Sequence, residues 1–420
     1  MGSTREESAL LVIEEAAERS VALLHRALHA EGYLASPSDA HYASIWGRDA
    51  AIACLGASRS RDPVLIEGVE ATLRTLASLA TPLGQVPNVY WPDRGYWDWG
   101  EGGTTDATAW LVIALAEHVA ATDRLPIAEE LWPDVERALR WLTYQDVTNT
   151  GLVNSPAGGD WMDGTVRRAG RIFHVNVLYW WAAAGAARLA DQLGRETPID
   201  PASIATAIDG LFWPAPGSDL AELNRAEYPP QATVEFPHPL AASEFERLTT
   251  ADRRHHVALI SFGQFVDRCD VLAECLGIAS GLTDAGRAGI VLDYLDESGC
   301  ADPYPSRTWL EPFVPGEPRG LLDVGADALQ DPRWRNPPGS YHNGGIWPYI
   351  GGVHAVAAAT AGQADRAEAL LDGVAAANRL DDWGFHEWIQ VPSGKPDGAP
   401  DQAWNAGAYL WAYSLLATGG

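Results

Sequence analysis

The sequence predicts an all-α fold in which about twelve helices form two concentric rings, with long loops building a cleft on one rim. Three observations lead there. Apolar residues recur at helical spacing along most of the chain, strand patterns are few and short, and tight connections alternate with long ones rich in Gly, Pro, Trp and Asp.

The first helix is expected over Ser8 to Ala30, where Leu10, Leu11, Ile13, Ala17, Val21, Leu24 and Leu28 share one face. Caps and Gly/Pro punctuation place the next ones at Trp46 to Ser58, Pro63 to Leu79, Thr105 to Ala121, Ala128 to Gln145, Phe173 to Leu193 and Pro201 to Phe212. The remainder are expected at His255 to Leu276, Asp284 to Glu297, His342 to Thr360, Gln363 to Asn378 and Gln402 to Thr418. Tight links include Ser280 to Thr283 and Ala361-Gly362. The long ones are Thr81 to Thr104, Asp146 to Arg171, Phe212 to Arg254, Glu297 to Tyr341 and Leu380 to Asp401. Short turns closing one rim and long loops on the other describe a toroid. A helical solenoid is the competing architecture, but no consensus repeats at the fixed period such arrays require. No linker divides the chain, so residues 1–420 are expected to form a single domain.

Composition narrows the function. The chain has 420 residues, 47% hydrophobic and 20% charged, which excludes disorder. Basic residues number 29 against 56 acidic, a net charge of -27 that repels phosphate backbones and anionic lipid, so neither nucleic acid nor a membrane is an expected partner. No apolar run reaches membrane-spanning length and the N-terminal stretch lacks a basic and apolar leader pattern, so a cytoplasmic location is expected. Cys54, Cys269, Cys275 and Cys300 show no C-x-x-C spacing and read as reduced thiols. Phosphate-loop, dinucleotide and nucleophile-elbow motifs are missing, and no histidine pattern suits a metal, so neither a cofactor nor a metal is expected. Nothing specifies an oligomeric state. Eighteen tryptophans exceed what a core needs and call for a reason.

Four clusters can carry chemistry. In Gly158-Gly159-Asp160-Trp161-Met162-Asp163-Gly164 two carboxylates flank apolar side chains. Desolvation can keep such an acid protonated, with Trp161 offering a sugar-stacking face; a surface Asx turn explains the same residues. Glu387 lies in Trp383-Gly384-Phe385-His386-Glu387-Trp388, again among aromatics, with an arginine salt bridge as the alternative. Two carboxyls across a cleft are the machinery of glycoside hydrolysis, which requires no cofactor. Trp46, Arg48 and Asp49 begin a helix that otherwise reads as buried; the Arg-Asp pair can fork hydrogen bonds to vicinal hydroxyls or form a structural ion pair. Finally, Gly339 to Pro348 puts Tyr341, His342, Asn343 and Trp347 beside glycines, an arrangement suited to a hydroxyl-rich ligand.

Together these blocks resemble two related glycosidase groups, the amylo-α-1,6-glucosidase domain of glycogen-debranching enzymes and the neutral/alkaline invertases. The likeness lies in Trp-Gly-Arg-Asp at 46 to 49, Thr105-Asp106-Ala107-Thr108-Ala109-Trp110, Asp160-Trp161-Met162-Asp163, Ser340 to Pro348 and Gln402-Ala403-Trp404-Asn405-Ala406-Gly407, in the same order and at similar spacing from about Tyr42 to Leu416. The resemblance implies an (α/α)6 barrel and hydrolysis with inversion, with Asp163 as general acid and Glu387 as base. It implies substrate binding by Trp46, Arg48, Asp49, Asp106, Asp160, Trp161, His342, Asn343, Trp347, Gln402 and Trp404. Two departures stand out. The transferase region of debranching enzymes is missing, which favours a small free carbohydrate as substrate. The Val-Glu-Ile/Leu expected after the acid is replaced around His174, in Arg171-Ile172-Phe173-His174-Val175-Asn176. An exo-acting, α-glucosidase-like hydrolase is therefore the expected activity. An epimerase or lyase using His174, His342 and His386 on the same toroid is the enzymatic alternative, and a carbohydrate-binding protein without turnover the other.

Overall fold

The computed structural model describes residues 3–100, 103–163, 166, 168–216, 218, 248–249, 252–261, 264–314 and 336–418. Gly164, most of the loop expected over Phe212 to Arg254 and residues 315–335 of the loop expected over Glu297 to Tyr341 lie outside the described residues. The fold is mostly helical with little sheet. Its main helices are α1 (Ser3–Ala27), α2 (Gly47–Ala57), α3 (Pro63–Leu79), α4 (Asp106–Thr122), α5 (Leu125–Thr143), α6 (Phe173–Leu193), α7 (Pro201–Phe212), α8 (Val271–Ala279), α9 (Ala285–Glu297), α10 (Pro348–Thr360), α11 (Ala364–Asn378) and α12 (Ala403–Thr418).

The even-numbered helices pack in cyclic order: α2 on α4, α4 on α6, α6 on α8, α8 on α10, α10 on α12 and α12 back on α2. The odd-numbered helices lie outside this ring, α3 on α2, α5 on α4, α7 on α6, α9 on α8, α11 on α10 and α1 on α12. The sequences suit these places. Every residue of α2 is buried, charged ones included, and α10 is buried from Pro348 to Ala358, as befits helices enclosed on all sides. In α5 burial is confined to the stripe Ile127, Ala128, Leu131, Trp132, Val135, Ala138, Leu139 and Leu142, the pattern of a helix with one face to solvent. Small residues let inner helices close the ring. A Cβ on Gly56 of α2 would lie 2.2 Å from the carbonyl oxygen of Gly407 in α12. Gly56→Ala is therefore expected to force the two backbones apart and to destabilise by at least the ~1–3 kcal/mol of ordinary overpacking, read as a lower urea midpoint.

Links from an inner to the following outer helix are short, as at Asp123-Arg124 between α4 and α5. Those from outer to inner are long and carry small antiparallel ladders. β1 (Leu28–His29) pairs with β2 (Gly32–Tyr33), and β9 (Trp388–Ile389) with β10 (Pro396–Asp397). β3 (Ile45–Trp46), β4 (Val89–Trp91) and β5 (Tyr96–Asp98) form one sheet; β6 (Arg171–Ile172), β7 (Leu259–Ser261) and β8 (Gln264–Val266) form another. β3 runs directly into α2 and β6 into α6, so strand pairing fixes where these helices enter the ring.

The helix expected over His255 to Leu276 is corrected. Leu259–Ser261 and Gln264–Val266 are paired antiparallel strands, the first docked on β6 with Arg171 opposite Ile260 and Ile172 opposite Leu259. Their β-branched and aromatic residues favour a strand once a partner edge is present. The helix starts at Val271, where the Asp270 carboxylate caps the Ala273 N–H. The helix expected from His342 begins at Pro348, because Trp347 is held extended as its N-cap and proline suits the first turn. The four cysteines are buried free thiols. Among the described residues, no helix is long and apolar enough to cross a membrane.

Candidate active site

The polar residues of the site stand at the N-terminal ends of the even-numbered helices. Arg48 and Asp49 occupy the first turn of α2, Asp106 opens α4, His174 is the second residue of α6, Asp270 caps α8, Trp347 caps α10 and Gln402 precedes α12. Each helix end presents partial positive charge, which favours an acidic cluster there.

Arg48 is the hub. It is buried, with its Nη1 donating to Asp106 Oδ2 at 2.7 Å and its Nη2 to Asn88 Oδ1 at 2.8 Å and to Asp163 Oδ1 at 3.2 Å. Asp49 lies beside it, 3.8 Å from Arg48 Nε. Burial pushes the Asp49 carboxyl up to about 7; Arg48 opposes the rise, while Asp163 and Glu387 add to it. Asp106 is fully buried and raised by that burial, Arg48 again opposing.

Asp163 and Glu387 differ in their surroundings. The side chain of Asp163 is 44% exposed. Its backbone is left-handed, φ 47°, in a turn closed by its N–H on the Asp160 carbonyl at 3.0 Å. Glu387 is 5% exposed. Its Oε1 accepts from the Tyr42 hydroxyl at 2.9 Å and its Oε2 from the Ala399 N–H at 3.1 Å. Burial raises the Glu387 carboxyl and these two donors oppose it. A Cβ on Gly398 would fall 2.4 Å from Glu387 Oε2, so only glycine there leaves room for the carboxylate. Both acids act electrostatically on Asp49 and on Tyr341, which places the two around one site.

The remaining residues divide into floor and frame. Trp347 stacks on His342 (ring centroids 4.9 Å) and meets Trp161 edge-on at 5.4 Å. Trp404 stacks on Tyr349 at 4.3 Å, and Tyr349 meets Trp161 at 5.8 Å, so these aromatics form one packed layer. Trp46 packs on Tyr42 at 5.8 Å and donates to Ser44 Oγ at 2.9 Å. His342 Nδ1 lies 3.0 Å from the Met162 carbonyl, which can only accept, so the proton sits on Nδ1; burial holds this imidazole well below the usual range. Asp160 is buried, accepts from Met162 N–H at 2.9 Å and from Arg168 Nε at 2.6 Å, and Arg168 also pairs with Asp270. The Asn343 amide is engaged by the backbone of Phe313 and Asn336, and Gln402 reaches the Ala399 carbonyl at 3.5 Å. Asp106, Asp160, Asn343 and Gln402 thus brace the loops, whereas Arg48, Asp49, Asp163 and Glu387 converge. Among the described residues no group of His, Cys, Asp and Glu could hold a metal ion.

Sequence reasoning missed Tyr42, Asn88, Arg168, Asp270 and Tyr349, whereas Tyr341 stood inside a motif already singled out. The others carried no local signal, since each becomes informative only through a partner far away in the chain.

No family model matches the sequence, and no curated protein matches it. Solved structures do match, and glycosidases stand among them. The GH63 mannosylglycerate hydrolase from Thermus thermophilus, in complex with Tris and D-glycerate, is similar with a TM-score of 0.64 and 17% identity, over 94% of this chain and 99% of that one. In complex with glucose the same hydrolase gives 0.63 and 18%, over 94% and 98%. A wild-type glycosidase gives 0.59 and 16%, over 97% and 98%. At these identities the likeness establishes a common fold.

Proposed function

We propose that this chain is an (α/α)6-barrel glycoside hydrolase that cleaves a small α-glycoside from its end, with inversion, using Asp163 as general acid and Glu387 as general base. The observation that carries the reading is the pairing of two unlike carboxyls around Asp49 and Tyr341: one half-exposed at the rim, one buried and held by two donors. Burial raises the Glu387 carboxyl, and the two donors oppose that rise in favour of the carboxylate, the form a base needs. The exposed position of Asp163 suits the side from which a leaving group departs. That a solved neighbour of this fold is a mannosylglycerate hydrolase, seen with glucose and with D-glycerate, supports a small carbohydrate as substrate.

In the reaction, the glycosidic oxygen replaces Arg48 as the partner of a protonated Asp163. The Asp163 proton passes to that oxygen as the C–O bond breaks and the aglycone leaves as an alcohol. Glu387 takes a proton from water, whose oxygen bonds the anomeric carbon from the opposite face. Solvent then returns one proton to Asp163 and removes one from Glu387. The two carboxyls of such a pair stand about 6.5–9.5 Å apart to admit the water. Epimerisation through histidine is disfavoured by the same site, because burial keeps His174 and His342 well below the usual range and so makes them weak bases.

The test is a panel of α-glucosides, α-mannosides and glycosyl acids with proton NMR of early product. Release of the anomer opposite in configuration to the substrate supports the reading; early retention refutes inversion, and no release from any member refutes the hydrolase.

Tyr42→Phe tests the base separately. Removing the hydroxyl takes away a donor that holds Glu387 down, so its carboxyl rises further. Because the base must be charged, the acid limb of the kcat/KM profile is expected to move to higher pH. The loss should be greatest in mildly acidic buffer and shrink towards neutral pH.

A further inference from the structure

His174 stands on the first turn of α6, between α4 and α8 in the ring, and is 1% exposed. Neither of its ring nitrogens has a hydrogen-bond partner among the described residues. Its electrostatic neighbours are Arg48, on the Asp106 side, and Arg168, on the Asp270 side. It thus lies among the residues of the active rim. An imidazole carries one donor and one acceptor, and leaving both unmade in the interior is costly enough that a native chain does so for a reason. Other donors of the site without a partner among the described residues are Arg168 Nη2 and the indole N–H groups of Trp161 and Trp404, which both pack on Tyr349. The charges around them are lopsided. Among the described residues, two guanidinium groups, Arg48 and Arg168, pair with four buried carboxyls, Asp49, Asp106, Asp160 and Asp270.

We propose that His174 is a specificity-determining residue of the glycosyl pocket, hydrogen-bonding one hydroxyl of the bound sugar, and that this pocket takes an uncharged pyranosyl unit. A hydroxyl both donates and accepts, so it can engage a ring nitrogen of His174 in either tautomer. A uronate or sugar phosphate would bring an anion among carboxyls that already outnumber their cations. Burial and the two arginines hold the imidazole well below its usual range, so it meets the sugar as a neutral group at working pH. The proposal rests on the hydrolase reading for the place of the sugar, but binding can be measured without turnover.

The experiment is calorimetric binding of D-glucose, D-mannose, D-galactose, D-glucuronate and the monodeoxy forms of whichever sugar binds, to wild type, His174→Leu and His174→Gln. Expected is a neutral hexose whose affinity falls roughly 5- to 150-fold in His174→Leu and recovers in part in His174→Gln. One monodeoxy sugar should bind wild type more weakly by a similar factor yet bind His174→Leu no worse than its parent. Equal affinities across the variants, a loss that is the same for every deoxy sugar, or preferred binding of D-glucuronate overturns the proposal. Should His174→Leu not fold, the deoxy series on wild type with ¹⁵N-labelled histidine decides: the His174 ring nitrogens shift with the parent sugar and not with the critical deoxy form, and an unmoved signal overturns it. Sugar binding that depends on His174 with no glycoside cleaved sinks the hydrolase alone. Cleavage unchanged in His174→Leu sinks this inference alone, and a protein that neither binds nor cleaves any of these sugars sinks both.

Discussion

Asp163→Asn and Glu387→Gln are each expected to lower kcat for every cleaved glycoside by roughly 10²- to 10⁴-fold, the range that general acid and base groups contribute. Both replacements keep the shape of the side chain and remove its proton chemistry. The two should fail differently. Asparagine at 163 can still accept from Arg48 Nη2, and the turn remains closed by the backbone N–H of residue 163 on the Asp160 carbonyl, so KM changes little. Its loss should be smallest on substrates with a good leaving group, which depart without protonation. Glutamine at 387 keeps an oxygen for Tyr42 or for Ala399 N–H, but it cannot take a proton from water. Its loss should therefore be indifferent to the leaving group and be partly relieved by a small nucleophile such as azide. Activity of either variant within about tenfold of wild type would sink the assignment of that residue. Circular dichroism and the urea midpoint, unchanged in both, would exclude unfolding as the cause.

Arg168→Met is expected to produce the largest loss of stability. Arg168 is 1% exposed and lies between Asp160 and Asp270, themselves 2% and 1% exposed. Removing one member of such a buried set leaves the others without a counter-charge, at about 3–5 kcal/mol. The sign with pH follows from the acids left behind. Burial already raises the Asp270 carboxyl, and Arg168 opposes that rise. Without the arginine the Asp270 carboxyl titrates well above its unfolded value of about 3.9. A folded-state value above the unfolded one gives stability that is present below the unfolded value and is lost as pH rises through the folded one. The deficit of Arg168→Met against wild type should thus be smallest near pH 4 and fullest at neutral pH. Urea titrations at several pH values check it, and a pH-independent deficit would show that the acids are not responsible. Activity should fall with stability, because Asp160 also holds the turn that presents Asp163 through the Met162 N–H and the Asp163 N–H.

Much of this molecule was readable from its residues, and the parts that were not share one cause. The helices of both rings follow from local signals: a stripe of apolar residues in α5, apolar residues on every side in α2 and α10, a proline in the first turn of α3. Asp163 and Glu387 stood out because acids among aromatics are costly and short of partners in the local sequence. Trp161, Trp347 and Trp404 likewise proved to belong to one aromatic layer, which accounts for part of the tryptophan excess. The strands β7 and β8 were read as helix because their strand character depends on β6, which lies far earlier in the chain.

By itself, then, the sequence determined the helical class, the alternation of short and long links, the acidic character and the two acids that the proposed chemistry uses. Periodicity, caps and turn residues act over a few positions, so they survive being read in one dimension. Closure of the ring decided everything that depends on a partner. It brought Arg48 to Asp163 across 115 residues, Arg168 to Asp270 across 102 and Tyr42 to Glu387 across 345. It also left His174 buried with both nitrogens unengaged by the described residues. The physical reason is that the state of a buried charge or dipole is set by what surrounds it in space, and in a closed ring of helices the nearest neighbours are often residues far apart along the chain.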